Sequence, residues 1–308
     1  MEYSKFTPKH ALHLAAPQTW SAAILPVLLA AACAEANGYA IPWVALCVLL
    51  AISILMQSAV NALNDYFDFM KGTDSLDDCL EADDAVLLHE NVNPKTVLAL
   101  SLGLLGAAFI LGIYIIYISG IIPLAIAVIG ALCVLLYSGG KTPISYWPIG
   151  ELVSGFVMGG LICLASYYAL TLSLDLWVLL WSSPLVLTIG LIMMTNNTCD
   201  IEKDARAGRR TLPVLLSRGR ARGAYHGIIV ATYMLIAVIT CIWYLPGAIL
   251  LPFGALISIP VVSALWKCPL TQAVRVQAMS LASTFNIVMG LAYCLCVIAG
   301  GNTVMAMA

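Results

Sequence analysis

Long apolar runs dominate this chain and leave few folds open to it. Stretches near 18–35, 41–61, 96–116, 121–137, 150–171, 175–195, 224–244, 247–266 and 279–299 stand out. Each is long enough, or nearly so, to cross a hydrocarbon core of ~30 Å, which takes about 20 helical residues. A transmembrane barrel is built from short segments of alternating polarity, and these runs do not alternate. The expectation is an all-α, polytopic membrane protein with nine transmembrane helices in a single domain over residues 1–308. A soluble domain is excluded by composition. The chain is 62% hydrophobic and 10% charged, with a mean hydropathy of +0.97, where soluble domains average about 25% charged residues.

The basic residues report on topology. Lys5 and Lys9 precede the first stretch, and Lys71 and Lys95 separate the second from the third. Lys141 follows the fourth. Lys203, Arg206, Arg209, Arg210, Arg218, Arg220 and Arg222 follow the sixth, and Lys267 and Arg275 follow the eighth. With nine spans all 14 fall on one side. The positive-inside rule makes that side cytoplasmic, with the N-terminus inside and the C-terminus outside. The first stretch resembles a signal peptide in its flanking lysines, but an uncleaved first span keeps this topology. A cell (plasma) membrane location follows. Most of the ten cysteines lie inside apolar stretches and read as small apolar filler rather than a disulfide framework.

Almost all the chemistry is on the charged side, in two loops at about 61–95 and 196–223. The first reads Asn61-Ala-Leu-Asn64-Asp65-Tyr-Phe-Asp68-Phe-Met-Lys71-Gly72-Thr-Asp74. On a helix, Asn61 and Asp65 share a face, and so do Asn64 and Asp68. The second reads Asn196-Asn197-Thr-Cys-Asp200-Ile-Glu202-Lys203-Asp204-Ala-Arg206-Ala-Gly208-Arg209-Arg210-Thr211, with Asn196, Asp200 and Asp204 at four-residue steps. Two such ladders at a membrane surface repel one another unless cations sit between them. Oxygen-only donors suit Mg²⁺, which keeps waters and completes its shell with substrate phosphates. The nearby bases, Lys71 at the first ladder and Lys203, Arg206, Arg209 and Arg210 at the second, complete a cradle for a diphosphate. The other loop acids, Asp77, Asp78, Glu81, Asp83 and Asp84, lack this register and read as solvated surface. Lys141 is placed to stabilise a leaving diphosphate, or else to snorkel at the interface.

These motifs resemble the UbiA superfamily of intramembrane prenyltransferases, and within it the 1,4-dihydroxy-2-naphthoate polyprenyltransferases of menaquinone biosynthesis. The likeness rests on Asn64-Asp65-Tyr66-Phe67-Asp68 with Gly72 and Asp74, on Asn196-Asn197-x-x-Asp200-x-x-x-Asp204 with Gly208-Arg209-x-Thr211, and on Tyr137-x-x-x-Lys141. Gly150-Glu151 with Gly155 and Gly159, then Tyr167-Tyr168, extends it through the fifth stretch. The resemblance implies a helical bundle around a central cavity, two Mg²⁺ ions, a polyprenyl diphosphate donor and an aromatic acceptor, with no nucleic-acid partner. It implies metal ligation by Asn64, Asp65, Asp68, Asp74, Asn196, Asp200 and Asp204. Catalysis would fall to Asp68, Asp200, Asp204 and Lys141, and substrate contacts to Tyr137, Lys71, Lys203, Arg206, Arg209 and His89. The chain departs from the branch twice: Ala16 stands where an arginine precedes Pro17, and Asp83-Asp84 with His89 replace a Gly-Gly and an arginine. A transporter is the rival class, and it would place ionisable groups near the midplane. No stretch has a mid-span charge, and Asn286 is the most conspicuous polar residue inside one.

Overall fold

The computed structural model describes residues 3–71, 86–138 and 143–301. Every regular element among them is helical. In chain order these are α1 Pro8–Ala15, α2 Ser21–Ala36, α3 Trp43–Lys71, α4 Val86–His89, α5 Pro94–Ser119, α6 Ile122–Ser138 and α7 Gly150–Gly155. They continue as α8 Ile162–Thr171, α9 Trp177–Trp181, α10 Ser183–Cys199, α11 Ile201–Arg206, α12 Leu212–Trp243, α13 Leu251–Lys267 and α14 Arg275–Gly300. A π-helical segment, Phe156–Leu161, joins α7 to α8 into one continuous rod.

A helix stands at each apolar stretch of the sequence, but the lengths differ. Among the described residues, six helical segments are long and apolar enough to cross a membrane: Trp43–Met70, Pro94–Ser119, Gly150–Thr171, Leu212–Trp243, Leu245–Lys267 and Gln272–Gly300. A seventh arises if α1 and α2, bent by 54° at their junction, form one span. The bend has a local cause. Ala16 is left-handed (φ 46°), and Pro17 then starts a 3₁₀ turn that it fits at the first position. α6 and α10 are 17-residue helices, short for a straight crossing.

The core sits among α2, α10 and α14, which bury most of their length, while α5 and α13 are peripheral and leave Phe109, Tyr117, Phe253 and Ile257 exposed. That inside-out surface is the one a bilayer solvates. Because lipid tails are as apolar as leucine, helix pairing inside a membrane relies on close packing and interhelical hydrogen bonds. Both devices are present. α2 contributes a run of buried alanines, Ala22, Ala23, Ala30, Ala31, Ala32 and Ala34. Gly155 and Gly159 let the α7–π rod meet the backbone of Leu185 and Val186, and Gly190 of α10 admits the Glu151 carbonyl.

Asn286, the polar residue inside the last stretch, acts as a three-helix tie. It accepts from Thr188 Oγ1 of α10 at 2.7 Å and donates to Ser21 Oγ of α2 at 3.3 Å. Asn286→Leu leaves Thr188 and Ser21 without that partner. It is expected to cost about 1–2 kcal/mol, read as a lower thermal midpoint in detergent with helicity unchanged. The nine described cysteines are all free thiols, six of them buried: Cys33, Cys163, Cys199, Cys268, Cys294 and Cys296.

Candidate active site

The first ladder lies within α3, which continues unbroken from the apolar core to Lys71. Gln57, Asn61, Asn64 and Asp68 follow one another at helical spacing and share a face. The lower part of this face is a closed polar network. Gln57 Nε2 donates to Thr19 Oγ1 (3.1 Å) and Asn61 Oδ1 (3.3 Å), and Asn61 Nδ2 donates to Thr19 Oγ1 (2.8 Å) and the Ala15 carbonyl (3.0 Å). The network thereby fastens the α1–α2 bend to α3.

Asp65 is turned away from that face. Its carboxylate accepts from the backbone N–H groups of Val86 (3.0 Å) and Leu87 (3.5 Å), capping α4 beside a small cluster of Leu14, Ala62, Val86, Leu87, Val92 and Val97. The carboxylate expected to pair with Asn61 thus serves the start of α4. One residue after Asn64 is a rotation of about 100° on a helix, so the two side chains serve different neighbours.

The second ladder spans the junction of α10 and α11. Backbone bonds from Asp200 to Asn196 (3.1 Å) and from Asp204 to Asp200 (2.8 Å) carry the four-residue step across it. Gly208, left-handed at φ 73°, then ends α11 and folds the chain back. The fold-back returns Arg209 and Thr211 to Asp204: Arg209 Nη1 lies 3.3 Å from Asp204 Oδ1, and Thr211 Oγ1 donates to Oδ2 at 3.4 Å. The Gly-Arg-x-Thr signature is thus the turn that covers Asp204. Burial, opposed by the Arg209 guanidinium and reinforced by the Asp200 carboxylate, leaves the Asp204 carboxyl raised to about 6. Burial pulls Arg209 down, but Asp204, the Tyr146 phenol and Asp68 outweigh it and hold its pKa above the ordinary value. Asp68 of the first ladder is near enough to add to that upward push on Arg209.

Three basic residues outside the expected set, or assigned no role in it, organise this region. Arg275, at the start of α14, donates from Nε to Asn196 Oδ1 (3.0 Å) and pairs with Asp200 Oδ2 (3.1 Å). Arg218 donates to both oxygens of Glu202 (2.8 and 2.6 Å) and to the carbonyls of Thr198 and Leu270, clamping α11 to the loop before α14. That contact lowers the Glu202 carboxyl. Arg210 is fixed through its backbone to the Tyr146 carbonyl (2.9 Å), and the Arg209 guanidinium lies 5.3 Å from the centre of the Tyr146 ring. The partner of Arg275 is far away in sequence, so nothing local signals its role.

Beside Asn64 of the first ladder lies a cavity of about 210 Å³. Its polar rim is Thr19, Gln57, Asn61, Asn64 and Tyr137; its wall is Val153, Val157, Met158, Ile189, Ile192, Met193 and Met279, with Ser154 among them. Asn64 belongs both to the first ladder and to this rim. Beside the cavity is Glu151, 6% exposed. Its Oε1 accepts from Asn197 Nδ2 at 2.9 Å, while Oε2 is buried with no hydrogen-bond partner.

The remaining expected residues divide as follows. Tyr137 lines the cavity. Lys203 is half-buried on α11, and Arg206 is exposed with its Nε on the Glu202 carbonyl (3.3 Å). His89 is exposed at the end of α4 and is not among the described residues that line the cavity. Asp74, Lys141 and the Lys71 side chain lie outside the described residues, as do Asp77, Asp78, Glu81, Asp83 and Asp84.

Among the described residues no three His, Cys, Asp or Glu side chains converge on one point. The donors are instead Asn and Asp oxygens in pairs, Asn64 with Asp68 and Asn196 with Asp200, with Asp204 beyond. That set fits Mg²⁺, which binds through one or two carboxylates plus waters and substrate phosphates rather than in an all-protein cage.

Comparison with known proteins agrees with this geometry. The profile of the UbiA prenyltransferase family matches residues 23–287. A 1,4-dihydroxy-2-naphthoate octaprenyltransferase of Bacillus subtilis is 35% identical over 208 residues, covering 66% of this chain and 64% of the relative, so the match spans somewhat under two thirds of that protein. The protein of the same name from Mycobacterium tuberculosis is 31% identical over 258 residues, covering 80% of this chain and 84% of its own. Among solved structures, a UbiA homolog from Archaeoglobus fulgidus bound to GPP and Mg²⁺ superposes with a TM-score of 0.59 at 15% identity, covering 92% of this chain and 99% of that one. A digeranylgeranylglyceryl phosphate synthase gives 0.60 at 19% identity, covering 94% and 98%. With two Asn/Asp ladders and an apolar cavity beside the first of them in an all-helical membrane fold, this chain belongs to the UbiA prenyltransferase family.

Proposed function

We propose that this chain transfers a polyprenyl group from an isoprenyl diphosphate to 1,4-dihydroxy-2-naphthoate, releasing diphosphate and CO₂ to give demethylmenaquinol, the reduced form of demethylmenaquinone. The observation that carries the reading is the junction at Asn64, where a carboxylate-and-base cradle meets an apolar cavity. A charged head and a greasy tail need those two environments side by side. Asn64, Asp68, Asn196, Asp200 and Asp204 hold Mg²⁺, two ions in all, and the metal supplies charge neutralisation for the departing diphosphate. Arg209 and Lys203 bind the diphosphate oxygens, with Arg206 at the exposed edge. Tyr137 and the apolar wall exclude water from the allylic cation. The names of the two bacterial relatives favour the naphthoate over other aromatic acceptors.

The same reading takes the chain as one domain with nine spans. The bent α1–α2 pair and the two 17-residue helices complete the count. The basic side, the N-terminus and both ladders face the cytoplasm and the C-terminus faces outward, in a plasma membrane. Turnover of detergent-solubilised protein with Mg²⁺, a polyprenyl diphosphate and either 1,4-dihydroxy-2-naphthoate or 4-hydroxybenzoate tests it. A prenylated, decarboxylated naphthalene product seen by mass spectrometry supports it, and a prenylated benzoate alone replaces the acceptor.

The raised Asp204 carboxyl makes a pH prediction. A carboxyl lifted from 3.8 to about 6 stabilises the metal-free fold below its unfolded pKa, and that contribution is lost as pH rises through about 6. A bound cation needs the deprotonated form. Mg²⁺ affinity is therefore expected to climb roughly tenfold per pH unit below about 6 and to level off above it. Thermal midpoints measured with and without Mg²⁺ across pH check this, and a flat Mg²⁺ effect would remove Asp204 from the metal site.

A further inference from the structure

A second polar feature lies away from the cavity and both ladders, where α13 packs along α12. Tyr233 of α12 and Ser258 of α13 share a hydrogen bond inside the pair. At the end of the pair that carries the basic loop, the His226 ring of α12 stacks on the Trp266 indole of α13, centroids 4.0 Å apart and planes within 7°. Arg222 stands one turn before His226, and Lys267 follows Trp266 at the end of α13.

These cations differ from three other bases of the same region. Arg209, Arg218 and Arg275 each hold a carboxylate. Among the described residues, Arg222 and Lys267 have no ion pair. Arg222 Nε and His226 Nε2 are moreover buried without a hydrogen-bond partner. An unmet buried N–H such as Arg222 Nε costs roughly 1–3 kcal/mol, a cost that an anionic acceptor at this end of the groove would relieve.

The adjoining surface shows what kind of anion fits. Arg222, His226, Val230 and Met234 follow at four-residue steps and form one stripe along α12. Val230 and Met234 are exposed, as are Trp266 and, two turns deeper on α13, Ile259. Cations at the interface, an indole at headgroup depth and an apolar stripe running inward match the shape of a membrane lipid rather than a soluble anion.

We propose that the α12–α13 groove binds an anionic phospholipid, its headgroup phosphate against Arg222 and Lys267 and an acyl chain along Val230, Met234 and Ile259. The site is separate from the prenyl-transfer machinery, so the lipid is a structural ligand and not a substrate.

Native mass spectrometry of the full chain, released from nanodiscs holding equal phosphatidylglycerol and phosphatidylcholine, tests this. The unaltered protein is expected to retain phosphatidylglycerol in preference. Each interfacial cation contributes about 1 kcal/mol, so Arg222→Gln should weaken retention about 5-fold and Arg222→Gln with Lys267→Gln about 30-fold, phosphatidylcholine being unaffected. Arg222→Lys should retain the lipid, which separates charge from fold. Arg220→Gln is the control, because it removes an equal charge from an exposed residue outside the stripe. Unchanged retention in the double variant, or equal loss in the Arg220 variant, would overturn the site. Displacement of the lipid by inorganic phosphate would overturn the lipid as its occupant.

Discussion

Asp200→Asn and Asp68→Asn are each expected to lower prenyl transfer by about 10²–10³-fold while the protein stays folded. The substitutions are isosteric and remove one negative charge from opposite ladders. The amide introduced by Asp200→Asn still offers an oxygen to Arg275, which holds Asp200 Oδ2 at 3.1 Å in the unaltered chain, so the packing of α14 against the second ladder survives. What is lost is an anionic oxygen for the metal that neutralises the diphosphate, and losing one pre-placed electrostatic contact of that kind costs about 3–4 kcal/mol in the transition state. Turnover at saturating Mg²⁺, beside thermal midpoints of the same samples, reads both halves. Asp65→Asn is the internal contrast. Its carboxylate serves the N–H groups of Val86 and Leu87, so the variant is expected to lose about 1 kcal/mol of stability and to keep transfer. Unaltered turnover in both ladder variants would remove these aspartates from the chemistry.

Gly159→Leu is expected to abolish the folded state. A Cβ on Gly159 would lie 2.7 Å from the Val186 nitrogen and 2.9 Å from the Leu185 carbonyl carbon, both main-chain atoms of α10 that have nowhere to go. Overpacking of an ordinary core costs about 1–3 kcal/mol. Here the obstacle is backbone, and α10 cannot retreat without moving Asn196, Asn197 and the Asp200 junction. Gly106→Leu makes the comparison, since a Cβ there meets nothing within 4 Å on lipid-facing α5. Monodisperse yield in detergent separates the two: Gly106→Leu should match the unaltered protein, and Gly159→Leu should aggregate. Equal yields would mean that the α7–α10 contact is not the one that holds the bundle together.

Much of this was legible in the chain because the membrane simplifies the problem. A bilayer requires each crossing segment to satisfy its own backbone hydrogen bonds, so apolar runs became helices. The four-residue spacing of Asn64 with Asp68, and of Asn196, Asp200 and Asp204, survives into the structure because an α-helix carries it. Asp65 did not follow its neighbours. Four-residue spacing paired it with Asn61, but its carboxylate caps α4. Arg275 and Glu151 were equally hidden as site residues, since their partners are Asp200 with Asn196 and Asn197, on another helix far along the chain.

Local spacing and hydropathy alone determined that this protein is a helical membrane bundle with two oxygen-rich ladders at one end. Those features depend on residues within a few turns of one another, where helix geometry leaves little choice. Only the tertiary structure decided which face of α3 the cavity takes, that the Gly208 turn covers Asp204, and that Arg275 crosses to the second ladder. Among the described residues, it alone also left Arg222 and Lys267 without carboxylates. Each of these depends on how helices distant in sequence cross, and crossing is set by where small residues such as Gly155, Gly159 and Gly190 let backbones meet.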